Sequence, residues 1–316
     1  MTDAPAVTLM VITYNHERYV DQCLQAVAAQ TFRDLEVVVV DDASTDGTVD
    51  LVRSWLDRLP FETRLIVNER NLGICATRNR AIAAARGTFL STVSGDDYYE
   101  PEKIATQHAV ISTLGDEVAA VFSNMRVVRD DRTPVSRWFP DGHPPADGRI
   151  FERMIESNFM PSPTVMSRRA AVLATGGYDE SLFYEDYDMW LRLADRHEFR
   201  FVPGDLVNYR WSGTSVSRDT RYGARMHASR ARLLMKWVDR DEQTGAIVRD
   251  RAWRNARRAF AYDATLGREA LRTAAGTHPS ASRRALVAAS SIPGSDRVVR
   301  AALDADDWLK RRRRNR

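Results

Sequence analysis

Residues 7–48 read VTLMVITYNHERYVDQCLQAVAAQTFRDLEVVVVDDASTDGT and predict a strand, a helix and a second strand in that order. The apolar run 7–13 is typical of a buried strand, and apolar residues then recur at helical spacing over 20–27. The valine-rich run 35–40 favours a central strand of a parallel sheet. It ends in the turn-forming residues 41–47, after which a second helix begins.

The same alternation continues further along the chain. We predict a third strand over 64–68, a third helix over 74–85 and a fourth strand over 88–93. Alternating strands and helices favour parallel β-α-β units with right-handed crossovers. The predicted fold class is therefore α/β, with a Rossmann-like, mostly parallel central sheet flanked by helices and with ligand-binding groups at the carboxyl ends of the strands.

The remaining chain is less regular. A strand is predicted over 118–125, a long loop over the site at 130–149, and a helix over 185–197. Beyond residue 221 the sequence becomes helical and rich in alanine and arginine. We therefore predict two domains, an α/β domain over 1–221 and a basic α-helical C-terminal appendage over 222–316.

Charge is divided unevenly between these two parts. Residues 221–316 hold 23 Lys and Arg against 10 Asp and Glu, whereas residues 1–220 hold 23 against 33. The chain closes on the basic run 310–314 and Arg316. Basic ends of this kind bind anionic lipid headgroups, nucleic acid or an acidic partner, and the alternative is a solvated, frayed terminus. For the basic region we expect attachment to an anionic membrane surface or to a partner protein. We expect no nucleic acid, because the sequence carries no recognisable nucleic-acid-binding module.

The two cysteines, Cys23 and Cys75, lie in apolar helical contexts. We expect small core residues in a reducing compartment rather than a disulfide or a metal site. Residues 1–6 carry no basic segment ahead of an apolar run, so no secretory signal is predicted. No stretch approaches the roughly 18 to 20 apolar residues of a membrane span. The sequence thus predicts a cytoplasmic protein, with peripheral attachment to the cytoplasmic face of the membrane through its basic end.

Three pairs of acidic residues stand where a strand ends or a helix begins. They are Asp41 and Asp42, Asp96 and Asp97, and Glu185 and Asp186. Carboxylate oxygens are hard ligands that hold Mg²⁺ or Mn²⁺ and, through the ion, the phosphates of a nucleotide. Each pair alone also fits a polar turn or a helix cap. Their order around one sheet edge, together with Thr13, Tyr14 and Asn15 after the first strand, favours a site for a metal diphosphate.

Four segments carry a resemblance to a known family. They are VITYNHERYVDQCLQAVAAQTFRDLEVVVVDDASTDGT, NERNLGICATRNRAIAAARGTFLSTVSGDDYYEPEKI, GGYDESLFYEDYDMWLRLA and YRWSGTSVS, within residues 7 to about 217. The sequence resembles the glycosyltransferase family 2 enzymes, which have the GT-A fold. The resemblance implies an inverting transfer of a sugar from a nucleotide-diphosphate sugar to a hydroxyl of a glycan or lipid-linked acceptor, as in polysaccharide biosynthesis of the cell envelope. UDP is the favoured nucleotide, with dTDP and GDP open.

The same resemblance assigns a nucleotide pocket. Thr13, Tyr14 and Asn15 correspond to its start, where an aromatic ring can stack on a base. Asp42 corresponds to the acid that accepts a hydrogen bond from the base or ribose, and Arg78 to a cation near the diphosphate. The alternatives are that Tyr14 caps the first helix and that Arg78 is an exposed helix charge.

The resemblance also implies a divalent metal, Mg²⁺ or Mn²⁺. Asp96 aligns with the last acid of the family's DxD motif, which holds the ion under the diphosphate. Ser94 replaces the first acid and is a poor metal ligand, so coordination would depend on Asp96 and Asp97 with phosphates and water. Ser212 stands where the family often has histidine. These departures leave open a second interpretation, a nucleotide-sugar-binding module that has lost catalysis.

The third acidic pair corresponds to the catalytic centre of the resembling enzymes. Asp186 matches the general base that takes the proton from the acceptor hydroxyl, and Glu185 would orient the acceptor. The alternative is that both acids, with Asp188, only stabilise a helix N-terminus. Trp138 is predicted to form part of a lid or to contact the acceptor, and Trp190 to pack in the core. A dehydrogenase is excluded because no GxGxxG follows the first strand.

Overall fold

The computed structural model describes residues 4–183, 185–211, 222–276 and 280–303, without the side chain of Glu185. Contacts within the chain define two compact units, one of residues 1–181 and 185–212 and one of residues 182–184 and 213–316. The domain boundary predicted near residue 222 adjoins residues 212–221, which lie outside the described part, and it stays a prediction.

A single sheet of nine strands organises the described residues of the first unit. The strands are β1 (Val7–Thr13), β2 (Leu35–Asp41), β3 (Glu62–Val67), β4 (Phe89–Ser94), β5 (Tyr98–Tyr99), β6 (Val118–Val128), β7 (Pro134–Arg137), β8 (Val165–Arg168) and β9 (Glu198–Arg210). Their order is β3-β2-β1-β4-β8-β6-β9-β5, with β7 paired on β6. Strands β1 to β4 are parallel, as are β6 and β9, whereas β8 lies antiparallel between β4 and β6. The mostly parallel sheet confirms the predicted α/β fold class.

Seven α-helices accompany this sheet in the described part of the first unit. They are α1 (Val20–Ala28), α2 (Thr48–Leu56), α3 (Ile74–Ala84), α4 (Lys103–Ile111), α5 (Phe151–Glu156), α6 (Arg169–Ala174) and α7 (Glu185–Ala194). A short 3₁₀ turn over Ser162–Thr164 leads into β8. The first three helices connect consecutive parallel strands, so the chain returns to the same sheet edge at the end of each strand.

Two buried strands form the centre of the sheet. Every residue of β1 and β2 is buried, and each of these strands has parallel neighbours on both sides. Valine suits such a pleated surface that is covered on both faces. Cys23 of α1 belongs to this core, and Cys75 of α3 is also buried. Both are free thiols, in agreement with the expectation from the sequence.

The sequence pattern does not predict strand β9, because Pro203 and Gly204 lie within it. Proline has no amide donor for a ladder and glycine weakens a strand, so the pair reads as a break. In the structure the ladder with β6 skips both residues, and its register passes from Val202 to Asp205. Gly204 adopts φ of 130°, a conformation that favours glycine. This bulge lets β9 continue into the site region.

Smaller differences concern the ends of elements. The predicted loop over 130–149 contains the short strand β7, which hydrogen-bonds to the last residues of β6. The predicted helix over 185–197 ends at Ala194. Strands β5 and β8 are also unpredicted, since they are only two and four residues long and carry little pattern.

The second unit is α-helical in its described part, with α8 (Gly223–Met235), α9 (Glu242–Tyr262), α10 (Ala264–Ala275) and α11 (Ala281–Ser290). The Asp263 carboxylate accepts a hydrogen bond from the Leu266 amide and so caps α10 directly after α9. A Cβ atom on Gly267 would lie 2.1 Å from the Phe260 Cα, so glycine is required for this close turn. No described helix combines the length and apolar character of a membrane span. The basic run 310–316 lies outside the described residues.

Candidate active site

The carboxyl ends of β1, β2 and β4 lie side by side and bring the first two acidic pairs to one edge of the sheet. Thr13 at the end of β1 is in register with Asp41 of β2. The Asp42 amide donates to the Thr13 carbonyl at 2.8 Å, and the Gly95 amide donates to the Ile12 carbonyl at 2.9 Å. Residues that follow β2 and β4 therefore stand on the two sides of β1, as the sequence predicts.

Asp41 uses its carboxylate within the fold. It accepts hydrogen bonds from the Thr13 hydroxyl at 2.7 Å, from the Ser44 amide at 2.7 Å and from the Ser44 hydroxyl at 2.6 Å. Asp41 is fully buried. These bonds fix the turn after β2 and hold Thr13 against it. The nucleotide role predicted for Thr13 is untested, but its hydroxyl hydrogen is already donated to Asp41.

Asp42 holds the segment that leads into α3. Its carboxylate accepts hydrogen bonds from the Asn68 side-chain amide at 2.7 Å, the Leu72 amide at 2.8 Å and the Gly73 amide at 3.0 Å. A carboxylate has about four acceptor positions, so about one is left for a ligand. Asp42 is also buried. The nucleotide contact predicted for it stays a prediction, and its observed role is to shape the loop.

Tyr14 and Asn15 form the turn after β1. Asn15 has φ of 54°, a left-handed conformation that asparagine tolerates. Its amide donates to the Ser44 hydroxyl, and its side-chain oxygen accepts from the Thr45 amide, each at 2.8 Å. The Tyr14 side chain is 44% exposed, so its ring is available for stacking. Asn15 therefore fixes the turn that presents Tyr14.

Arg78 is buried in α3, so the alternative of an exposed helix charge does not fit its position. Its guanidinium carbon lies 5.4 Å from the centre of the Tyr178 ring, within the range of a cation–π contact. Asn79, the next residue of α3, hydrogen-bonds to the backbone of Tyr178. The Tyr178 amide donates to Asn79 at 2.8 Å, and the Asn79 amide group donates to the Tyr178 carbonyl at 2.9 Å. Helix α3 is therefore tied to the chain segment that precedes α7.

Asp96 and Asp97 have different environments. The Asp96 side chain is 21% exposed, whereas Asp97 is 3% exposed. Asp97 accepts a hydrogen bond from the Arg210 amide at 2.8 Å. Burial and the nearby charge of Asp96 raise the pKa of Asp97 well above its ordinary value. Both causes disfavour the ionised form that binds a metal, which argues against the metal role predicted for Asp97. The metal roles of Asp97 and Asp96 stay predictions.

Arg210, at the end of β9, holds the turn that carries Asp96. Its guanidinium donates to the Asp96 carbonyl at 3.0 Å and to the Asp130 carbonyl at 2.8 Å. It also lies 4.7 Å from the centre of the Tyr19 ring. The side chain is buried. Arg210 thus fixes the backbone of Asp96 from a strand that is distant in sequence.

Asp186 is the second residue of α7, and its side chain is partly exposed. The Asn158 amide group donates to the Asp186 carboxylate at 3.4 Å. Asp188, by contrast, is fully buried and paired with Arg192 at 2.8 Å. Arg192 also donates to the Thr175 carbonyl, which fixes the segment ahead of α7. Asp188 therefore has a structural role, and Asp186 is the acid that can meet a ligand.

Trp138 and Trp190 differ in the exposure of their side chains. The Trp138 side chain is 44% exposed, and its indole N–H donates to the Phe159 carbonyl at 2.7 Å. Phe159 follows Asn158, so Trp138 is anchored beside the partner of Asp186. Trp190 is buried, with its ring edge-on to Phe199. This agrees with core packing for Trp190 and with an accessible position for Trp138.

Comparison with known proteins decides the family. Residues 8–174, more than half of the chain, match the sequence profile described as Glycosyl transferase family 2. The chain belongs to glycosyl transferase family 2. EpsH of Bacillus subtilis, provisionally named a glycosyltransferase, is 32% identical over 130 residues, which are 41% of this chain and 36% of that protein. The predicted identification as a glycosyltransferase is confirmed.

Solved structures show the fold of this family 2 glycosyltransferase to be GT-A. S. aureus TarS 1-349 in complex with UDP-GlcNAc has a TM-score of 0.66 at 19% identity, over 96% of this chain and 92% of that chain. The mannosyltransferase PcManGT from Pyrobaculum calidifontis, in complex with GDP-Man and Mn²⁺, has a TM-score of 0.59 at 20% identity, over 96% and 85%. At these identities the likeness establishes the shared fold.

The residues of this glycosyltransferase fit a divalent ion only with help from a ligand. The described residues contain no cluster of three or more His, Cys, Asp or Glu that could hold a metal. Asp96 offers a partly exposed carboxylate, and the predicted departure at Ser212 lies outside the described residues. Mg²⁺ commonly keeps several waters and binds through one or two carboxylates together with substrate phosphates. Asp96 fits a site in which one carboxylate and the substrate phosphates hold the ion together.

Three residues of the candidate site are missed by reasoning from sequence. Arg210 and Tyr178 lie in segments that carry the family resemblance, but their contacts cross more than 90 residues of chain. His16 lies in the turn after β1, with its Nε2 atom 3.9 Å from an Asp96 carboxylate oxygen. A histidine beside a turn gives no signal of its own, whereas the YR pair at 209–210 could have directed attention to Arg210.

Proposed function

We propose that the protein is an inverting glycosyltransferase that moves a sugar from a nucleotide-diphosphate sugar to a hydroxyl of a glycan or lipid-linked acceptor. The observation that carries the proposal is the exposure of two carboxylates. Asp96 and Asp186 each keep part of the side chain exposed, whereas their neighbours Asp97 and Asp188 are buried and used within the fold. One carboxylate would serve the leaving diphosphate and the other the acceptor.

The donor is proposed to be a UDP-sugar. Related folds are solved with UDP-GlcNAc, with UDP and with GDP-Man, which supports a nucleotide-sugar donor and keeps GDP as an alternative. The exposed ring of Tyr14 would stack on the base, and Asp42 has about one acceptor position left for the base or ribose. Arg78 would contribute positive charge near the diphosphate.

Asp186 is proposed as the general base. It would accept the proton of the acceptor hydroxyl while that oxygen attacks the anomeric carbon from the face opposite the nucleotide. The bond between the anomeric carbon and the phosphate oxygen breaks, and the nucleoside diphosphate leaves with the bonding electrons. A base must stand within about 3 Å of the proton-bearing oxygen. Asn158 orients the Asp186 carboxylate, and Glu185 would help to bind the acceptor.

Asp96 is proposed to hold the diphosphate end of the donor together with a divalent ion, Mg²⁺ or Mn²⁺. When bound, the ion supplies positive charge that stabilises the departing diphosphate. Arg210 keeps the Asp96 backbone in place through its carbonyl. Thr13 and Asn15 hold the facing turn, so that the two sides of the donor site are fixed by hydrogen bonds of the protein itself.

A panel of nucleotide sugars tests this function. We expect donor-dependent release of a nucleoside diphosphate with at least one UDP-sugar, and a dependence on Mg²⁺ or Mn²⁺. A screen of nucleotides by thermal shift would precede it, because a ligand that binds the folded state raises its stability. Binding of a nucleoside diphosphate without turnover of any donor would favour the second candidate, a nucleotide-sugar-binding module, which the serine at position 94 suggests.

The basic C-terminal region is proposed to attach the enzyme to the cytoplasmic face of a membrane. Residues 221–316 hold 23 basic against 10 acidic side chains, and such an excess attracts anionic lipid. Sedimentation with anionic vesicles should show binding that weakens with salt and after removal of residues 310–316. Binding unaffected by both changes would contradict the electrostatic attachment.

A further inference from the structure

His16 lies opposite Asp96 across the site edge. Its Nε2 atom is 3.9 Å from an Asp96 carboxylate oxygen, and the two side chains are 19% and 21% exposed. The distance is too long for a direct hydrogen bond. The Nε2 atom of the partly exposed His16 ring is therefore not engaged by Asp96 and can donate to a ligand.

The ring of His16 is held in one orientation. The His16 amide donates to the Thr48 hydroxyl at 2.8 Å, which fixes its backbone on the turn after β1. The ring packs on Gly95, where an added Cβ would lie 2.7 Å from His16 Nδ1 and 2.9 Å from Thr13 Cγ2. Glycine at position 95 thus makes the space that the imidazole occupies.

The other ring nitrogen of His16 decides where its proton resides. Nδ1 is buried and has no hydrogen-bond partner among the described residues. A buried N–H without an acceptor is costly, and Nδ1 packs on Gly95. In neutral imidazole one nitrogen carries the proton and the other accepts. Nε2 faces the carboxylate of Asp96 at 3.9 Å, and this nearby negative charge favours the proton on Nε2.

We propose that His16 is a diphosphate-binding residue whose Nε2–H donates a hydrogen bond to a phosphate oxygen of the nucleotide held at Asp96. The inference deepens the proposed function and rests on it. The diphosphate would bind together with its divalent ion. The N–H of His16 would then meet a phosphate oxygen while the neighbouring Asp96 carboxylate meets the ion. It also supplies a contact at an edge where position 94 is a serine rather than an acid. The bond would strengthen as charge develops on the leaving diphosphate.

Two substitutions of similar size distinguish the hydrogen bond donated by His16 from the packing of its ring. His16→Gln keeps an N–H donor, whereas His16→Met fills similar space without one. We expect His16→Met to lower the affinity for UDP in the presence of Mg²⁺ by roughly ten- to a hundredfold, as for a hydrogen bond to a charged group. His16→Gln should lose less. Affinity for uridine, which has no phosphate, should stay within about twofold of the wild-type value in both variants. His143→Met, on an exposed loop residue, is the matched control.

Nitrogen NMR of ¹⁵N-histidine-labelled protein shows directly which ring nitrogen of His16 carries the proton. We expect the His16 Nε2–H tautomer in the free protein and a downfield shift of that proton with UDP and Mg²⁺ but not with uridine. An Nδ1–H tautomer, equal affinities of wild type and His16→Met, or an equal loss of uridine and UDP affinity would each overturn the inference. If sugar transfer proceeds in spite of such a result, the proposed function stands and only the role of His16 fails. If no nucleoside diphosphate binds, both fail.

Discussion

The acids at the end of β2 differ in environment from two other acids of the candidate site, Asp96 after β4 and Asp186 at the start of α7. The side-chain carboxylates of Asp41 and Asp42 accept six hydrogen bonds between them from described donors, and both residues are buried. Asp96 and Asp186 keep part of the carboxylate exposed. An acid at a strand end is therefore ambiguous until its donors are known, because a carboxylate can shape a loop or meet a ligand. Exposure separates the two roles.

The test of this comparison with the largest expected effect is Asp186→Asn. Loss of a general base typically costs 10²- to 10⁴-fold in rate, so we expect turnover to fall by about that factor. Affinity for UDP should be unchanged, because the proposed donor site does not include Asp186. Rates from a coupled diphosphate-release assay and affinities from calorimetry provide the measurement. Asp116→Asn, whose side chain is fully exposed, is the control. Activity that survives Asp186→Asn would place the base elsewhere.

Asp42→Asn tests the structural side of the comparison. The amide replaces one acceptor oxygen with a donor, so at least one of the groups from Asn68, Leu72 and Gly73 loses its partner. A buried unsatisfied donor costs about 1 to 3 kcal/mol, and we expect the free energy of unfolding in urea to fall by about that amount. Asp50→Asn, an exposed acid in α2, should have little effect. Unchanged stability together with lost UDP affinity would contradict the structural role and leave Asp42 only its proposed contact with the base or ribose.

Asp96→Asn, in contrast, should lower the affinity for UDP and leave the stability of the fold nearly unchanged. Its carboxylate is not needed to hold a backbone amide among the described residues, since Arg210 holds the Asp96 carbonyl instead. We expect the midpoint of urea unfolding to stay nearly constant, while the affinity for UDP with Mn²⁺ falls by about tenfold. Titrations with and without the metal provide the measurement. A large loss of stability with unchanged UDP affinity would contradict the assignment of Asp96 to the ligand.

Asp97→Asn should have the smallest effect, and its sign depends on pH. Burial and the charge of Asp96 raise the pKa of Asp97 in the folded protein, so the folded state binds this proton more tightly than the unfolded state. The stabilisation from the protonated carboxyl is full below the ordinary Asp pKa near 4 and is lost as pH rises through the folded-state pKa. Asparagine imitates the protonated form. The free energy of unfolding of the variant should thus be within about 1 kcal/mol of the wild-type value at pH 4 and should rise relative to it towards pH 8, as measured by urea unfolding. A relative fall with pH would show that Asp97 is ionised in the fold.

The part of the fold that the sequence predicts well is the part with a local pattern. β1 to β4 and the helices between them follow from apolar periodicity and from turn residues at each strand end. β9 could not be predicted in this way, because Pro203 and Gly204 interrupt it and its partner β6 lies some 80 residues earlier. Pairing between distant strands overrides a local break, and no local pattern reports it.

For the site, sequence names the acids but not their roles. The resemblance to family 2 points to Asp42, Asp96 and Asp186 alike, whereas burial distinguishes Asp42 from the other two, which are partly exposed. Arg210 and His16 act through contacts with residues 114 and 80 positions away, at the turn that carries Asp96. Such contacts depend on the completed sheet, so they become visible only in three dimensions.

The anchoring of Asp96 by Arg210 also has a consequence for biosynthesis. The carbonyl and the turn it belongs to are made early by the ribosome, whereas the guanidinium that secures them follows 114 residues later. Pairing between strands that are distant in sequence is slow to form. A chain that ends before β9 would lack the Arg210 guanidinium, so its Asp96 turn would lose the hydrogen bond that holds it in the full chain.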